Sequence, residues 1–137
     1  MAPCPSSPLS VLLVEDDVVL REQLQRMLEA EGHRLVLACD RYRAAAAIRG
    51  EAFDLLIIDV LFSQAQIIDA LVERNRAGQG LRVIGLSRFA RILPDYYLSL
   101  TAKLGVRVIL AKPFDQPQLA EAIAESGAEA EALVAAR

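Results

Sequence analysis

Asp54-Leu-Leu-Ile-Ile-Asp59 is a short aliphatic run that begins and ends on a carboxylate. Four consecutive apolar residues bounded in this way read as a strand buried on both faces, the kind found in parallel sheets covered by helices. Three further runs end on a charged or hydroxylic group in the same manner. Leu9-Ser-Val-Leu-Leu-Val14 leads into Glu15-Asp16-Asp17, Leu81-Arg-Val-Ile-Gly-Leu86 into Ser87, and Val106-Arg-Val-Ile-Leu-Ala111 into Lys112. Such ends stand at the carboxyl edge of an open parallel sheet, where these sheets bind their ligands. Four of them imply one site.

Between the strands lie segments of helical period. Leu20, Leu24, Met27 and Leu28 form an i, i+4, i+7, i+8 stripe that ends near Gly32. Arg34 to Ala38 reads as a second strand, and Asp40 caps an alanine-rich helix closing at Gly50. Ile67, Ile68, Leu71 and Val72 mark a third helix ending by Gly78. Leu93, Tyr97, Leu100 and Leu104 predict a fourth from about Pro94 to Gly105. Asp115 caps a final helix containing Leu119 and Ile123, with a break expected at Ser126-Gly127.

The expected fold is therefore α/β: a doubly wound five-stranded parallel sheet of flavodoxin-like order 2-1-3-4-5, with helices on both faces. The first and third strands then lie side by side, which brings Glu15, Asp16 and Asp59 together. The expected organisation is a flexible tail over 1–8, one domain over 9–126 and an Ala/Glu-rich extension over 127–137.

With 137 residues and 15.0 kDa, the chain has room for one sheet between two helix layers. Apolar residues make up 54%, but no uninterrupted run is long enough to cross a bilayer. The net charge of −3 and the lack of a Lys/Arg-rich face argue against direct nucleic-acid binding. Cys4 and Cys39 have no metal-like spacing and follow no secretory signal, so a cytoplasmic location is expected, with Cys39 a small core residue.

Three carboxylates in close proximity repel one another unless one is protonated or a cation neutralises them. Mg²⁺ suits such a site because it takes hard oxygen ligands, keeps several waters and bridges to phosphoryl oxygens. An ionised Asp59 beside it is the best-placed nucleophile toward an activated phosphoryl group. Lys112 offers a compact positive charge to one phosphoryl oxygen, and the Ser87 hydroxyl a hydrogen bond to another.

The segments Val11-Leu-Leu-Val-Glu-Asp-Asp17, Asp54-Leu-Leu-Ile-Ile-Asp59, Val83-Ile-Gly-Leu-Ser87 and Leu110-Ala-Lys-Pro-Phe-Asp115 occur in an order and spacing that resemble bacterial response-regulator receiver domains of the chemotaxis-regulator type. The resemblance covers about residues 9 to 125. It implies phosphorylation of Asp59, direct Mg²⁺ ligation by Asp16 and Asp59, and action of Glu15 mostly through metal-bound water. It further implies that the Leu61 backbone carbonyl completes the ligands, that Ser87 and Lys112 hold the phosphoryl group, and that Lys112-Pro113 is a cis peptide. The partners it implies are a histidine kinase or phosphotransfer protein and a downstream protein target. A homodimer through the fourth helix, fifth strand and fifth helix is a further expectation, with Tyr96 or Leu98 in partner contact. The chain is expected to work as a stand-alone signalling domain and not as an enzyme.

The sequence departs from that family at three places. Val60-Leu-Phe-Ser-Gln-Ala-Gln-Ile-Ile68 lacks the usual Met-Pro and Asp-Gly, Ile109 replaces a Tyr or Phe, Arg88 replaces a small residue, and Phe89 beside it could shield the site. These motivate an alternative, a receiver-fold binding module that works largely without phosphorylation. An aspartyl-phosphate hydrolase is disfavoured because Leu61 stands where a second acid is needed. A flavin carrier is disfavoured because Glu15-Asp16-Asp17 would repel a flavin phosphate. Asp17 reads as a helix cap, and His33 as an exposed or capping imidazole at a helix end.

Overall fold

A computed structural model of the protein describes residues 8–38, 40–59, 65–78, 81–87, 105–106 and 108–135; for Asn75 and residues 128–135 it describes the backbone alone. Five strands, β1 (Ser10–Val14), β2 (Arg34–Ala38), β3 (Leu55–Asp59), β4 (Arg82–Ser87) and β5 (Val108–Ala111), form one parallel sheet in the order β2-β1-β3-β4-β5. Four helices are described: α1 (Val18–Ala30), α2 (Arg41–Gly50), α3 (Ala65–Arg76) and α4 (Gln116–Ala135). Apart from Gly105, the helix expected over 94–105 lies outside the described residues, as do Cys39, Leu61, Arg88, Phe89, Tyr96 and Leu98.

Strand side chains alternate between the two faces, so each face of the sheet receives its own layer. Leu12, Val14, Leu56, Ile58 and Val83 pack with Ala44, Ala45 and Ile48 of α2 and Ile67, Ala70 and Leu71 of α3. Val11, Leu13, Leu55, Ile57, Ile84 and Leu86 pack with Leu24 and Leu28 of α1 and Leu119, Ala122 and Ile123 of α4. The β1 and β3 residues in both sets are fully buried.

The helices start and stop where their sequences direct. Asp17 Oδ1 accepts from the Val19 and Leu20 N–H groups at 3.0 and 3.2 Å, and Asp40 Oδ1 from Arg43 N–H at 2.8 Å. Before α4, Asp115 and Gln118 cap reciprocally: each side chain accepts the other's backbone N–H at 2.9 Å. Helix α1 ends in a Schellman turn, with Gly32 N–H on Glu29 O at 2.9 Å and His33 N–H on Leu28 O at 3.1 Å. That turn needs the positive φ of 85° at Gly32, which a side chain would disfavour.

Two expectations are corrected. Helix α4 does not break at Ser126-Gly127. The buried Ser126 hydroxyl donates to Ile123 O at 2.6 Å inside the helix, and Gly127 lies against the Arg82 guanidinium. His33 is neither exposed nor a cap: it is buried, and its Nδ1 accepts the Leu9 N–H at 3.0 Å, tying the start of β1 to the start of β2.

Candidate functional site

The sheet register carries the four chemical strand ends to one edge. Val14 is paired with Ile58, so Glu15 and Asp59 follow side by side at the ends of β1 and β3. Asp59 is paired with Leu86, and Ser87, one residue on, with Ala111, which precedes Lys112. Alternation supplies the rest. Glu15 continues the Val11, Leu13 set, Asp59 the Leu55, Ile57 set and Lys112 the Val108, Leu110 set, so all three side chains leave the sheet toward one face.

Lys112 Nζ lies 2.7 Å from Asp59 Oδ2 and 2.9 Å from Glu15 Oε2. The groups are nearly dry, with side-chain exposures of 7% for Lys112, 1% for Glu15 and 14% for Asp59. The other Glu15 oxygen accepts the Asp17 N–H at 3.2 Å. Carboxylate oxygens of Glu15, Asp16 and Asp59 all lie within 4.8 Å of one another, with Asp16 exposed and Asp59 between the two in accessibility. Ser87 is buried, and its carbonyl accepts the Lys112 N–H at 2.7 Å. The Lys112-Pro113 peptide is cis.

Burial pushes the Glu15 carboxyl above its ordinary value, against the lowering effect of its hydrogen bonds to Lys112 and Asp17. For Lys112, burial acts downward, but the hydrogen bonds and charges of Asp59 and Glu15 outweigh it and raise the ammonium above its usual range. Three carboxylates facing one ammonium leave two negative charges when all are ionised. Hard oxygen donors with that residual charge fit a divalent cation of the magnesium type.

The geometry adds one contact that the sequence reading does not contain. Lys112 was expected to serve a phosphoryl group, and Glu15 a metal, yet the two side chains also bind each other. No local pattern signals a pair 97 positions apart in the chain. Sequence reasoning also missed a groove beside the site, lined by Asp17, Val19, Leu20, Gln23, Lys112 and Pro113. Val19 in its lining is 65% exposed, and Val18 beside it in the first turn of α1 is 53% exposed.

The family model for the response regulator receiver domain matches residues 11–124. The chain belongs to this family. Among relatives of this receiver domain, the sensor histidine kinase AruS of Pseudomonas aeruginosa is 36% identical over 93% of the chain, and the transcriptional regulatory protein CpxR of Klebsiella pneumoniae 32% identical over 80%. The chain spans 13% of the kinase's length and 45% of the regulator's.

Solved structures agree on the fold. A CheY-like receiver domain protein from Methanospirillum hungatei superposes with a TM-score of 0.73 at 23% identity, over 91% of this chain and 98% of that one. The receiver domain of sensor histidine kinase PA1611 from Pseudomonas aeruginosa superposes with a TM-score of 0.68 at 26% identity, over 84% of this chain and 93% of that one; it has a magnesium ion coordinated in its active site cleft. No described helix of the present chain is long and apolar enough to cross a membrane.

Proposed function

We propose that this receiver domain is a stand-alone phosphoacceptor in two-component signalling or a phosphorelay, located in the cytoplasm, that takes a phosphoryl group on Asp59 and signals by protein contact. The observation that carries the reading is the Lys112 ammonium held between Asp59 and Glu15 at 2.7 and 2.9 Å, beside the Glu15, Asp16, Asp59 carboxylate cluster. A fixed cation at the nucleophile is what an incoming phosphoryl anion requires.

In the proposed reaction, an Asp59 carboxylate oxygen attacks the phosphorus of a phosphohistidine on a histidine kinase or phosphotransfer protein. The P–N bond breaks with its electron pair returning to the imidazole, which takes up a proton, and an acyl phosphate remains on Asp59. Lys112 and Ser87 would hold phosphoryl oxygens. Asp16 and Asp59 would ligate Mg²⁺ directly, and Glu15 would act through its water shell. Leu61, whose carbonyl completes the proposed set, lies outside the described residues. A bound Mg²⁺ supplies shielding of the charge that would otherwise repel the donor phosphate. The groove beside Val19 and Lys112 offers the donor an apolar approach to the acceptor. Residues 9–126 would form the receiver unit.

Acetyl phosphate with Mg²⁺ is expected to leave a hydroxylamine-labile phosphoryl group on the wild-type chain, visible by intact mass, and none on Asp59→Ala. Glu15→Gln is expected to weaken Mg²⁺ binding on the order of 10- to 100-fold by titration calorimetry, as loss of an outer-shell metal partner does. A wild-type chain with neither adduct nor Mg²⁺ binding would be a binding module that keeps the fold without phosphorylation, the reading that the altered segment after Asp59, Arg88 and Ile109 motivate.

A further inference from the structure

Among the described strands β2 pairs only with β1, so it forms one margin of the sheet. The Arg34 N–H donates to Leu9 O at 2.9 Å, toward β1. Backbone groups of successive strand residues point to opposite edges, so Arg34, Val36 and Ala38 face β1 while Leu35 and Leu37 turn their N–H and C=O groups outward. Side chains along this margin are apolar and uncovered, with Val36 42% and Leu37 38% exposed. An unpaired apolar edge is a template for another strand, and proteins usually guard it with proline, a bulge or central charges. The sequence RLVLA carries none of these between its ends.

We propose that a second copy of this chain pairs with β2, antiparallel about a two-fold axis at Val36, joining two five-stranded sheets into one. The outward groups set the register. Leu35 stands opposite the copy's Leu37 and exchanges two hydrogen bonds with it, the symmetric pair does the same, and Val36 packs on the copy's Val36 between them. Charge agrees with this arrangement: Arg34, exposed at the start of one strand, meets the end of the copy's strand, where half-exposed Asp40 follows. Strand β2 thus supplies matched donors and acceptors and apolar surface to itself, with Arg34 inside it and Asp40 two residues beyond it as the opposite charges, as a two-fold contact demands. That self-match favours a second copy over an extended segment of another protein.

Sedimentation across roughly 10 µM to 1 mM, a span that covers weak self-association, tests the pairing on the full chain. The wild-type mass is expected to rise from 15.0 kDa toward twice that value. Val36→Lys and Val36→Glu each set like charges on directly opposed residues, whose Cα atoms stand about 4.5 Å apart in such a pair, and are expected to remain monomeric. An equimolar mixture of the two is expected to associate again, with circular dichroism showing both variants folded. The proposal is overturned by a wild-type chain that stays at one mass throughout, by a dimer that both substitutions leave intact, or by a mixture that fails to pair.

Discussion

Lys112 stands between two carboxylates that the fold has largely removed from water, and its charge is what makes their proximity tolerable. The signs of the linked titrations follow from the directions of their shifts. Lys112 is raised above 10.5, so its pairing stabilises the fold fully below that value and is lost as pH rises through the higher folded value. Glu15 is raised above 4.5 by burial, so its own contribution favours the fold below 4.5 and is lost as pH climbs through its folded value. At neutral pH, holding Glu15 ionised therefore costs stability that Lys112 offsets. Lys112→Met is expected to lower stability by about 3 kcal/mol near pH 7, the scale of breaking a buried ion pair. Urea unfolding is expected to show a smaller loss near pH 4, where Glu15 takes a proton, and no alkaline decline of the kind Lys112 gives the wild type. An equal loss at both acidities would contradict the assignment.

Among the elements, the helix starts are local devices and the α2–α3 junction is not. Asp17, Asp40 and Asp115 cap from within a few residues, which is why the sequence alone marks them. Arg74 of α3 reaches back over the end of α2 and donates to the carbonyls of Ile48, Glu51 and Phe53 at 2.9, 2.8 and 3.1 Å. Those carbonyls lie where helix α2 and the following turn have no further N–H groups to offer. Arg74→Ala is expected to cost about 2 kcal/mol in chemical denaturation, the scale of hydrogen bonds from a charged donor, while leaving Mg²⁺ affinity unchanged. A stability loss within error of zero would mean that water replaces the guanidinium at no cost. The uninterrupted α4 belongs to the same scale: serine and glycine in series suggest a stop, but burial of Ser126 and its bond to Ile123 O keep the helix going.

For the molecule as a whole, neighbouring residues of one strand serve different layers. Ile57 packs toward α1 and α4, Ile58 toward α2 and α3, and both are fully buried. Replacing either by alanine is expected to cost roughly 2–5 kcal/mol, with the value set by how far each side can collapse. Amide hydrogen exchange separates the two layers: Ile57→Ala is expected to speed local opening in α1 and α4, and Ile58→Ala in α2 and α3. Identical exchange patterns in the two variants would show that the layers open as one unit.

The sequence by itself determined the order of the described elements, the parallel sheet, its strand order and the residues at the strand ends. All of these follow from period, from chain-local caps and from the handedness of crossovers. It also marked Glu15, Asp16, Asp59, Ser87 and Lys112 as candidates, because each directly follows or ends an apolar run. Only the tertiary structure decided that Lys112 contacts Glu15 as well as Asp59, that His33 is buried with its ring nitrogen on the Leu9 N–H, and that Val36 and Leu37 lie uncovered at the sheet margin. Each depends on which distant residues the register sets side by side and which surface the helices leave open, and neither is encoded in the spacing of residues along one segment.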